Sequence, residues 1–474
     1  MKKSNRNRTV RTALIIPPAP GGGIGQPWCP NLPIGSAYLA AVLEKSGHEL
    51  TVIDCPALGI DHEKLRAKIA SFEPDVVGIT SVTPTIKSAL KASHVSKEAC
   101  PNASVILGGP HVTYMYEQIL REYPEVDIVV RGEGEQTLPE LVRHVANSDD
   151  LQTISGIAFR KKEQIIRTPD RPLIQNLDDL PRPAYHYFSL ERYRFWGKIV
   201  LPIMTSRGCP FHCAYCVSCR MAGNQYRTRS PKNVVDELEW LKDVHKADAF
   251  TFYDDAFTYD KNRVIEICEE MKARKIAPPW DCQSRVDHIS REVLAKMREA
   301  NCQLIFFGIE SGSQKILNAV GKGTTVEQNE KAVMLAKEVG LPVAIAVIFG
   351  YPGETMDTLQ QTLDFIRRME PDMLYICFAT PFPGTELYDL VKKLGWKMSD
   401  DWSQFDQNTP VIENPSLSVD LREIRRKAYS GLFSWSYILR QSLKGTFYSR
   451  MLARTALNDQ MWRMKLLRWI PRKL

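Results

Sequence analysis

Apolar and polar positions alternate along this chain in two long series with a break between them. In the first series, short β-branched runs at Ala13–Ile16, Leu50–Ile53, Val76–Ile79, Val105–Leu107 and Ile128–Val130 have the length and composition of buried strands. Between them, Ser36–Lys45, Lys64–Ala70, Ile86–Lys97 and Leu138–Val145 carry apolar residues at helical spacing. Five strands with intervening helices predict an α/β domain over residues 12–150, a doubly wound parallel sheet. In such a sheet a ligand sits beyond the carboxyl ends of the strands. There fall the expected loops Pro17-Pro18, Asp54-Cys55, Thr80-Ser81, Gly108-Gly109-Pro110-His111 and Arg131-Gly132-Glu133-Gly134-Glu135. Their Gly, Pro and small polar residues suit a surface that must approach a large flat ligand.

Ile157–Phe159 and Gln164–Ile166, around the polar Arg160-Lys161-Lys162-Glu163, read as a hairpin. The connector Leu180-Pro181-Arg182-Pro183 follows, so residues 151–198 read as hairpin and Pro-rich linker. A second alternating series starts at Ile199, with strands near 199–205, 249–253, 280–284, 303–308, 343–349 and 373–379. Helices at Val234–Val244, Arg263–Ala273, Val293–Ala300, Gln328–Glu338 and Leu359–Met369 lie between them. Six β/α units over residues 199–385 predict a partial (β/α)6 barrel, and residues 386–474 read as a helical, basic and aromatic C-terminal region.

Composition narrows the class without changing this outline. With 474 residues, 44% hydrophobic and 25% charged, the chain has the make-up of an ordinary globular protein long enough for two domains. Eleven scattered cysteines do not make a disulfide scaffold, which suits a reducing cytosol. The basic N-terminus runs into Pro17-Pro18 after a short apolar stretch, unlike a signal peptide, and the longest uncharged apolar run, Leu341–Tyr351, is about half of a membrane span. Of the net charge of +7, residues 431–474 hold +8 and residues 1–11 hold five basic groups, which leaves about −6 for the body. Attraction for anions therefore resides at the ends.

The densest chemistry is the run Ser206-Arg207-Gly208-Cys209-Pro210-Phe211-His212-Cys213-Ala214-Tyr215-Cys216, after the first barrel strand. Three thiolates at C-x₃-C-x₂-C spacing can grip three corners of a [4Fe–4S] cubane and leave the fourth iron open. Cys219 extends the run to four, so a Cys₄ zinc site and a set of core thiols are competing readings. A fourth thiolate would close the open iron, which argues against Cys219 as a ligand.

This triad resembles the cluster loop of the radical S-adenosylmethionine (radical SAM) superfamily, with Cys209, Cys213 and Cys216 as the metal ligands. The resemblance implies that the cofactor's methionyl group chelates the free iron, that Tyr215 lies by the adenine, and that one-electron cleavage of the sulfonium releases a 5′-deoxyadenosyl radical. Tyr253-Asp254-Asp255-Ala256-Phe257 follows the second barrel strand, where the superfamily contacts the methionine ammonium; Asp254 and Asp255 stand where Gly-Gly-Glu is commoner, and a helix-capping Asp is the plainer alternative. Gly308-Ile309-Glu310-Ser311-Gly312 resembles the ribose-binding segment, through Glu310 and Ser311. Ile348-Phe349-Gly350-Tyr351-Pro352-Gly353-Glu354 resembles the adenine-side segment, through Gly350 and Gly353.

The first domain resembles the cobalamin-binding domain of one branch of that superfamily, which includes the Mg-protoporphyrin monomethyl ester oxidative cyclase and the hopanoid and tetraether lipid enzymes. Pro33-Ile34-Gly35-Ser36-Ala37-Tyr38-Leu39-Ala40, Leu107-Gly108-Gly109-Pro110-His111 and Arg131-Gly132-Glu133-Gly134-Glu135 carry that likeness. It implies cobalamin contacts at Asp54, Ser81, Gly108, Gly109, His111, Gly132 and Glu133, with a ligand-free sheet domain as the plain alternative. The D-x-H-x-x-G signature is absent: Asp54 and Gly59 keep its ends but Pro56 holds the His position. His111, read as a loop residue, is a candidate contact, with a turn or cap residue as the plain alternative.

From Trp435 to Arg472 aromatic and basic residues interleave at roughly helical spacing, including Arg440, Lys444, Tyr448, Arg454, Trp462 and Trp469. That composition suits a helix on anionic headgroups, packing on the protein's own body, or an acidic or RNA partner. The resemblance implies a cobalamin-dependent enzyme that methylates an unactivated carbon of a hydrophobic, lipid-like substrate, supplied with electrons by a donor such as ferredoxin or flavodoxin. It is expected in the cytoplasm, with peripheral contact at the membrane's inner face, and nucleic acid is not an expected partner. An oxidative cyclase or carbon–carbon bond-forming enzyme of tetrapyrrole or lipid biosynthesis is the alternative within the family. A non-catalytic iron–sulfur or zinc protein that binds nucleic acid is the alternative outside it. No catalytic side chain is assigned.

Overall fold

The computed structural model describes residues 9–19, 32–147, 149–195, 197–432, 434–444 and 447–463. It falls into two compact units, and two short later segments, Phe382–Gly384 and Asp400–Phe405, belong to the first.

The first unit holds seven strands: β1 (Arg11–Ile16), β2 (Glu49–Asp54), β3 (Val76–Thr80), β4 (Ser104–Gly108), β5 (Ile128–Val130), β6 (Ile157–Lys161) and β7 (Gln164–Arg167), in the order β2-β1-β3-β4-β5-β6-β7. The first five run parallel. Neighbouring residues of one strand serve opposite cores: Ile15, Val77 and Leu107 pack on one face, and Leu14, Val76 and Ile106 on the other. That is why these strands read as continuous apolar runs. Strand order reverses between β1 and β3, the switch point at which a doubly wound sheet opens a crevice.

Two readings of the sequence need correction. The hairpin assigned to the linker instead extends the first sheet, β6 running antiparallel to β5 and β7 to β6. Its inward Ile157 and Phe159 join the core cluster of the sheet, so burial and not the nearby prolines decided its place. The segment after Gly108-Gly109 is not a loop: it is helical from Pro110 to Glu122, with a kink at Met115. Proline lacks only an N–H that the first turn would leave unpaired, and Gly109 takes the left-handed turn into it at φ +108°.

The second unit holds six parallel strands, β8 (Lys198–Ile203), β9 (Ala249–Phe252), β10 (Trp280–Ser284), β11 (Cys302–Glu310), β12 (Val343–Phe349) and β13 (Met373–Phe378), side by side in chain order. Among the described residues the first and last of these do not pair, as in a partial barrel. Helices Pro231–Asp243, Lys261–Ala273, Arg291–Glu299, Val326–Glu338 and Met356–Met369 alternate with them. Trp280, Phe250, Phe252 and Phe257 fill its core.

Part of the C-terminal stripe is used against this barrel. Helix Trp435–Lys444 docks through Asp372, just before β13: the Tyr437 hydroxyl donates to its carbonyl at 2.5 Å, and Gln441 and Lys444 donate to its carboxylate. Helix Phe447–Arg463 follows, with Tyr448 donating to Asp281 and the Phe447 N–H to Gln303 Oε1 at 3.1 Å. Lys465, Leu466, Leu467, Arg468, Trp469 and Arg472, counted in the stripe, lie outside the described residues, as does the basic arm at Lys2, Lys3, Arg6 and Arg8. Among the described residues no helix is long and apolar enough to cross a membrane.

Candidate functional site

The three cysteines stand in the loop that leaves β8, and two devices set that loop. Asp254, at the end of β9, is buried and accepts from the Thr205 N–H at 2.7 Å, the Ser206 hydroxyl at 2.8 Å and the Thr205 hydroxyl. The carboxylate thus clamps two neighbouring strand ends together. Gly208 then turns at φ +82°, where a Cβ would meet the Gln225 carbonyl oxygen at 2.3 Å, so no other residue fits. A turn from Cys216 N–H to Cys213 carbonyl, at 3.0 Å, brings the last two cysteines round.

The thiols feel one another. Burial pushes Cys209 up to about 11, and the charges of Asp255, Cys216 and Cys213 add to that rise. Burial also raises Cys213 against the pull of Lys322 and Arg285. Cys216 goes the other way, down to about 7, chiefly because the Cys219 thiol donates to it. Cys219 also lies 3.2 Å from the Cys216 carbonyl, so it serves the third cysteine as a donor. Among the described residues no three His, Cys, Asp or Glu side chains close on a single ion. A cubane spaces its thiolates at separate corners, and three soft donors in one turn of loop fit that demand better than a one-ion zinc shell.

Charged groups ring these thiols. Asp255 stands open to solvent in a recess of the protein, its carboxyl raised by desolvation and held by the Ser218 hydroxyl and the Gly208 N–H. Glu310 and Lys322 form a buried ion pair at 2.7 Å. Glu310 closes β11 at φ +63°, a left-handed conformation that strains any residue but glycine, and the register with β12 shifts there. The pair folds over Gly308, where a Cβ would sit 2.4 Å from Glu310 Oε1. The Tyr215 hydroxyl also bonds to Glu310, which joins the aromatic of the cysteine loop to the end of the fourth barrel strand.

The other predicted barrel residues differ in how far their own surroundings engage them. Ser311 is buried and shares hydrogen bonds with the Thr362 hydroxyl at 2.9 Å and the Ser313 N–H at 3.1 Å. Gly350 and Gly353 both have positive φ, and an added Cβ at Gly353 would meet nothing within 4 Å. Glu354 is buried with Oε2 accepting from the Gly350 N–H at 2.5 Å and Oε1 without a partner; burial lifts it to about 7.

In the first unit the predicted contacts divide similarly. Asp54 caps the short helix Cys55–Leu58 by accepting from Ala57 N–H at 3.3 Å and takes the Tyr193 hydroxyl. Ser81 bonds to the Gly108 carbonyl at 3.1 Å, and Glu133 accepts from the Ile174 N–H at 2.8 Å. His111 is buried in the first turn of its helix, edge-on to Trp402, with Nδ1 3.2 Å from the Thr83 hydroxyl. Burial lowers it to about 4, so it is neutral. A Cβ on Gly109 would strike the Ser81 carbonyl oxygen at 2.2 Å, whereas one on Gly108 or Gly132 would meet nothing within 4 Å. The strand ends therefore present backbone and open space, which fits a broad flat ligand.

Sequence reasoning missed Arg285 and Lys322. Arg285, directly after β10, donates to Cys213 Sγ at 3.8 Å, and Lys322 sits between glycines 321 and 323, both with positive φ. The one available signal was a charged residue at a barrel strand end, which becomes informative only when its partner 72 residues earlier is known.

Two family descriptions match: a B12 binding domain over residues 31–142 and the radical SAM superfamily over residues 203–366. The chain is 33% identical over 427 residues to an uncharacterised methyltransferase of Pyrococcus horikoshii, which covers 90% of this chain and 93% of that one. It is 33% identical over 416 residues to the anaerobic magnesium-protoporphyrin IX monomethyl ester cyclase of Rubrivivax gelatinosus, covering 85% of this chain and 74% of the cyclase. Its fold matches the radical S-adenosylmethionine methyltransferase TsrM of Kitasatospora setae, solved with cobalamin and a [4Fe–4S] cluster. That match has a TM-score of 0.71 and 17% identity, over 96% of this chain and all of TsrM.

Proposed function

The chain belongs to the radical SAM enzymes that carry a B12-binding domain, and on that premise we propose that it methylates an unactivated carbon of a hydrophobic, lipid-like substrate. The family's cofactors are a [4Fe–4S] cluster, S-adenosylmethionine and cobalamin, and membership sets aside the non-catalytic reading. One observation carries the proposal: three cysteines with open-iron spacing are gathered with Asp255, Arg285, Glu310 and Lys322 at the carboxyl end of the partial barrel.

When bound, these groups supply hydrogen-atom abstraction and a transferable methyl group. The chain's own residues hold and orient. Cys209, Cys213 and Cys216 provide three thiolates. Asp255, the one carboxylate there left open to solvent, suits the ammonium of a methionyl group, and Asp254 serves by clamping the strand that presents it. Glu310, fixed by Lys322 and Tyr215, suits ribose hydroxyls, and the left-handed turn at Gly353, with open space beside it, allows an adenine to approach backbone; Gly350 turns the same way but lies against Leu421. On the first unit, Gly108 and Gly132 give the corrin ring a surface without side chains.

A cyclase reading is kept alive by the Rubrivivax relative, which is also 33% identical, over somewhat less of each chain. Mass spectrometry of lipid extracts from a deletion strain and its parent separates the two. A methylene-sized difference supports methylation; loss of two hydrogens or gain of oxygen supports cyclisation; no difference removes the lipid substrate.

The same reading includes a cytoplasmic setting, a ferredoxin or flavodoxin as electron source, and contact with an anionic bilayer. The ten described cysteines are free thiols, which supports the compartment. On helix Trp435–Lys444 the face opposite the docked one exposes Trp435, Leu439 and Leu443, at 55%, 62% and 78%, one turn apart. An apolar helix face, followed in the next helix by exposed Arg450 and Arg454, is the composition of an interfacial segment. Flotation with vesicles containing anionic lipid should lift the protein, and Leu439→Ser with Leu443→Ser should leave it at the bottom.

A further inference from the structure

We propose that Arg285 is a positioning residue that raises the reduction potential of the cluster by directing a cationic N–H at Cys213. The inference rests on Cys209, Cys213 and Cys216 being the cluster ligands, and it concerns a residue that the cysteine spacing does not reveal.

The guanidinium is 5% exposed and its surroundings fix it on every side. Along one edge, Nε and Nη2 fork onto Asp287, at 3.0 Å to Oδ1 and 2.9 Å to Oδ2. Nη2 also donates to the Lys322 carbonyl at 2.8 Å. The flat face lies on the Phe211 ring, with Cζ 3.6 Å from its centroid. What remains is Nη1, across the group from the Asp287 fork, and it is 3.8 Å from Cys213 Sγ.

A neutral thiol is a poor acceptor, so nothing is gained by aiming a buried cation at one. Toward a thiolate the bond is charge-assisted, and the same geometry becomes favourable. The Arg285–Asp287 pair then acts as an oriented dipole with its positive end on the sulfur and its carboxylate on the far edge. Hydrogen bonds to ligand sulfurs and local positive charge both favour the more negative, reduced cluster, and low polarity around a 5%-exposed group keeps that influence from being screened. The electron itself comes from an external donor of the ferredoxin or flavodoxin class. Phe211 and Cys213 belong to the same loop, so the ring that the guanidinium stacks on and the sulfur it bonds to move together.

The test uses the full chain, reconstituted anaerobically with iron and sulfide, in wild-type, Arg285→Lys and Arg285→Gln forms. Iron and sulfide are counted chemically, and the midpoint is read by electron paramagnetic resonance during a redox titration without S-adenosylmethionine. The expected result is full cluster content in Arg285→Lys, and in Arg285→Gln a reduced-to-oxidised ratio at fixed potential about ten-fold lower than wild type, ~59 mV for one electron. Arg285→Lys should fall between, since it keeps the charge and loses the fork. Unchanged midpoints in cluster-loaded variants overturn the inference and leave the ligand assignment standing. Failure of both variants to hold a cluster also overturns it, since Arg285 would then serve assembly. A wild-type protein that takes up no cluster refutes the ligand assignment itself.

Discussion

The carboxyl ends of the two sheets are finished in opposite ways. At the end of the barrel, charged and soft side chains converge: three thiols, the open Asp255, the Arg285 guanidinium and the strained Glu310 with its Lys322. At the end of the first sheet, Asp54, Ser81, Glu133 and His111 all turn back onto the protein's own groups, and what faces outward is backbone and glycine. A metal cluster and an amino-acid zwitterion need directional ligands, whereas a broad ring needs an approachable surface. The contrast teaches that a carboxylate at a strand end can be left open in one unit, as Asp255 is, and tied into the frame in the other, as Asp54 is.

The harshest test of that contrast is at the cysteines. Cys213→Ser should reduce bound iron to background and abolish reductive cleavage of S-adenosylmethionine, because two thiolates do not retain a cubane. Cys219→Ser should keep the full iron content if Cys219 serves only as a donor to Cys216, the role its hydrogen bonds give it. Equal iron loss in both variants would put Cys219 among the ligands. Next comes the ion pair behind the loop. Glu310→Gln strands a buried Lys322 ammonium and should destabilise the chain by about 3–5 kcal/mol in denaturant titration. Glu310→Gln combined with Lys322→Met should recover most of that loss. A near-zero effect of the single change would mean the pair is solvated.

Much of this was legible in the sequence, and the limits have physical causes. Strand runs such as Ile128–Val130 and Trp280–Ser284 match the observed elements because an interior parallel strand must be apolar on both faces or alternate strictly. The cysteine spacing was legible since its chemistry is local to one loop. Asp254 was not, because a carboxylate at a strand end looks the same whether it awaits a ligand or clamps Thr205 and Ser206 across the sheet. Pro110 misled for another reason: a Gly-Gly-Pro run signals a turn, yet proline is also at ease at the first position of a helix. The strained φ of Glu310 has no sequence signal, because a glutamate at the end of a strand run looks the same whatever backbone it adopts.

The two units should also answer pH in opposite directions. His111 in the first unit is held neutral, with its pKa lowered to about 4 by burial. As pH falls from about 6.5 to about 4 the unfolded imidazole takes a proton that the folded one refuses, so stability is lost on acidification, by about 3 kcal/mol. Glu354 in the second unit is raised to about 7 by burial. As pH rises from about 4.5 to about 7 the unfolded carboxyl gives up its proton first, so stability is lost on the alkaline side, again by about 3 kcal/mol. Denaturant midpoints across this range should therefore become flatter below pH 6.5 in His111→Leu and flatter between pH 4.5 and 7 in Glu354→Gln. If Glu354→Gln leaves the alkaline slope untouched, the carboxyl is ionised in the folded state.

The finest discrimination lies within two adjacent glycines. Gly109→Ala places a Cβ 2.2 Å from the Ser81 carbonyl oxygen at a φ of +108°, so the backbone itself must move and the first unit should lose stability whether or not any ligand is present. Gly108 has neither problem: its φ is not in the left-handed region and an added methyl would meet nothing within 4 Å. Gly108→Ala should therefore stay within about 0.5 kcal/mol of wild type in the absence of corrinoid, as a surface change does. If the open space above Gly108 is where the ring lies, the same methyl stands between ring and backbone, and corrinoid retained after gel filtration should fall several-fold. A Gly108→Ala protein that keeps its corrinoid would move the flat ligand away from β4 and toward Gly132. A Gly109→Ala protein that folds normally would show that the contact with Ser81 is not what requires glycine there.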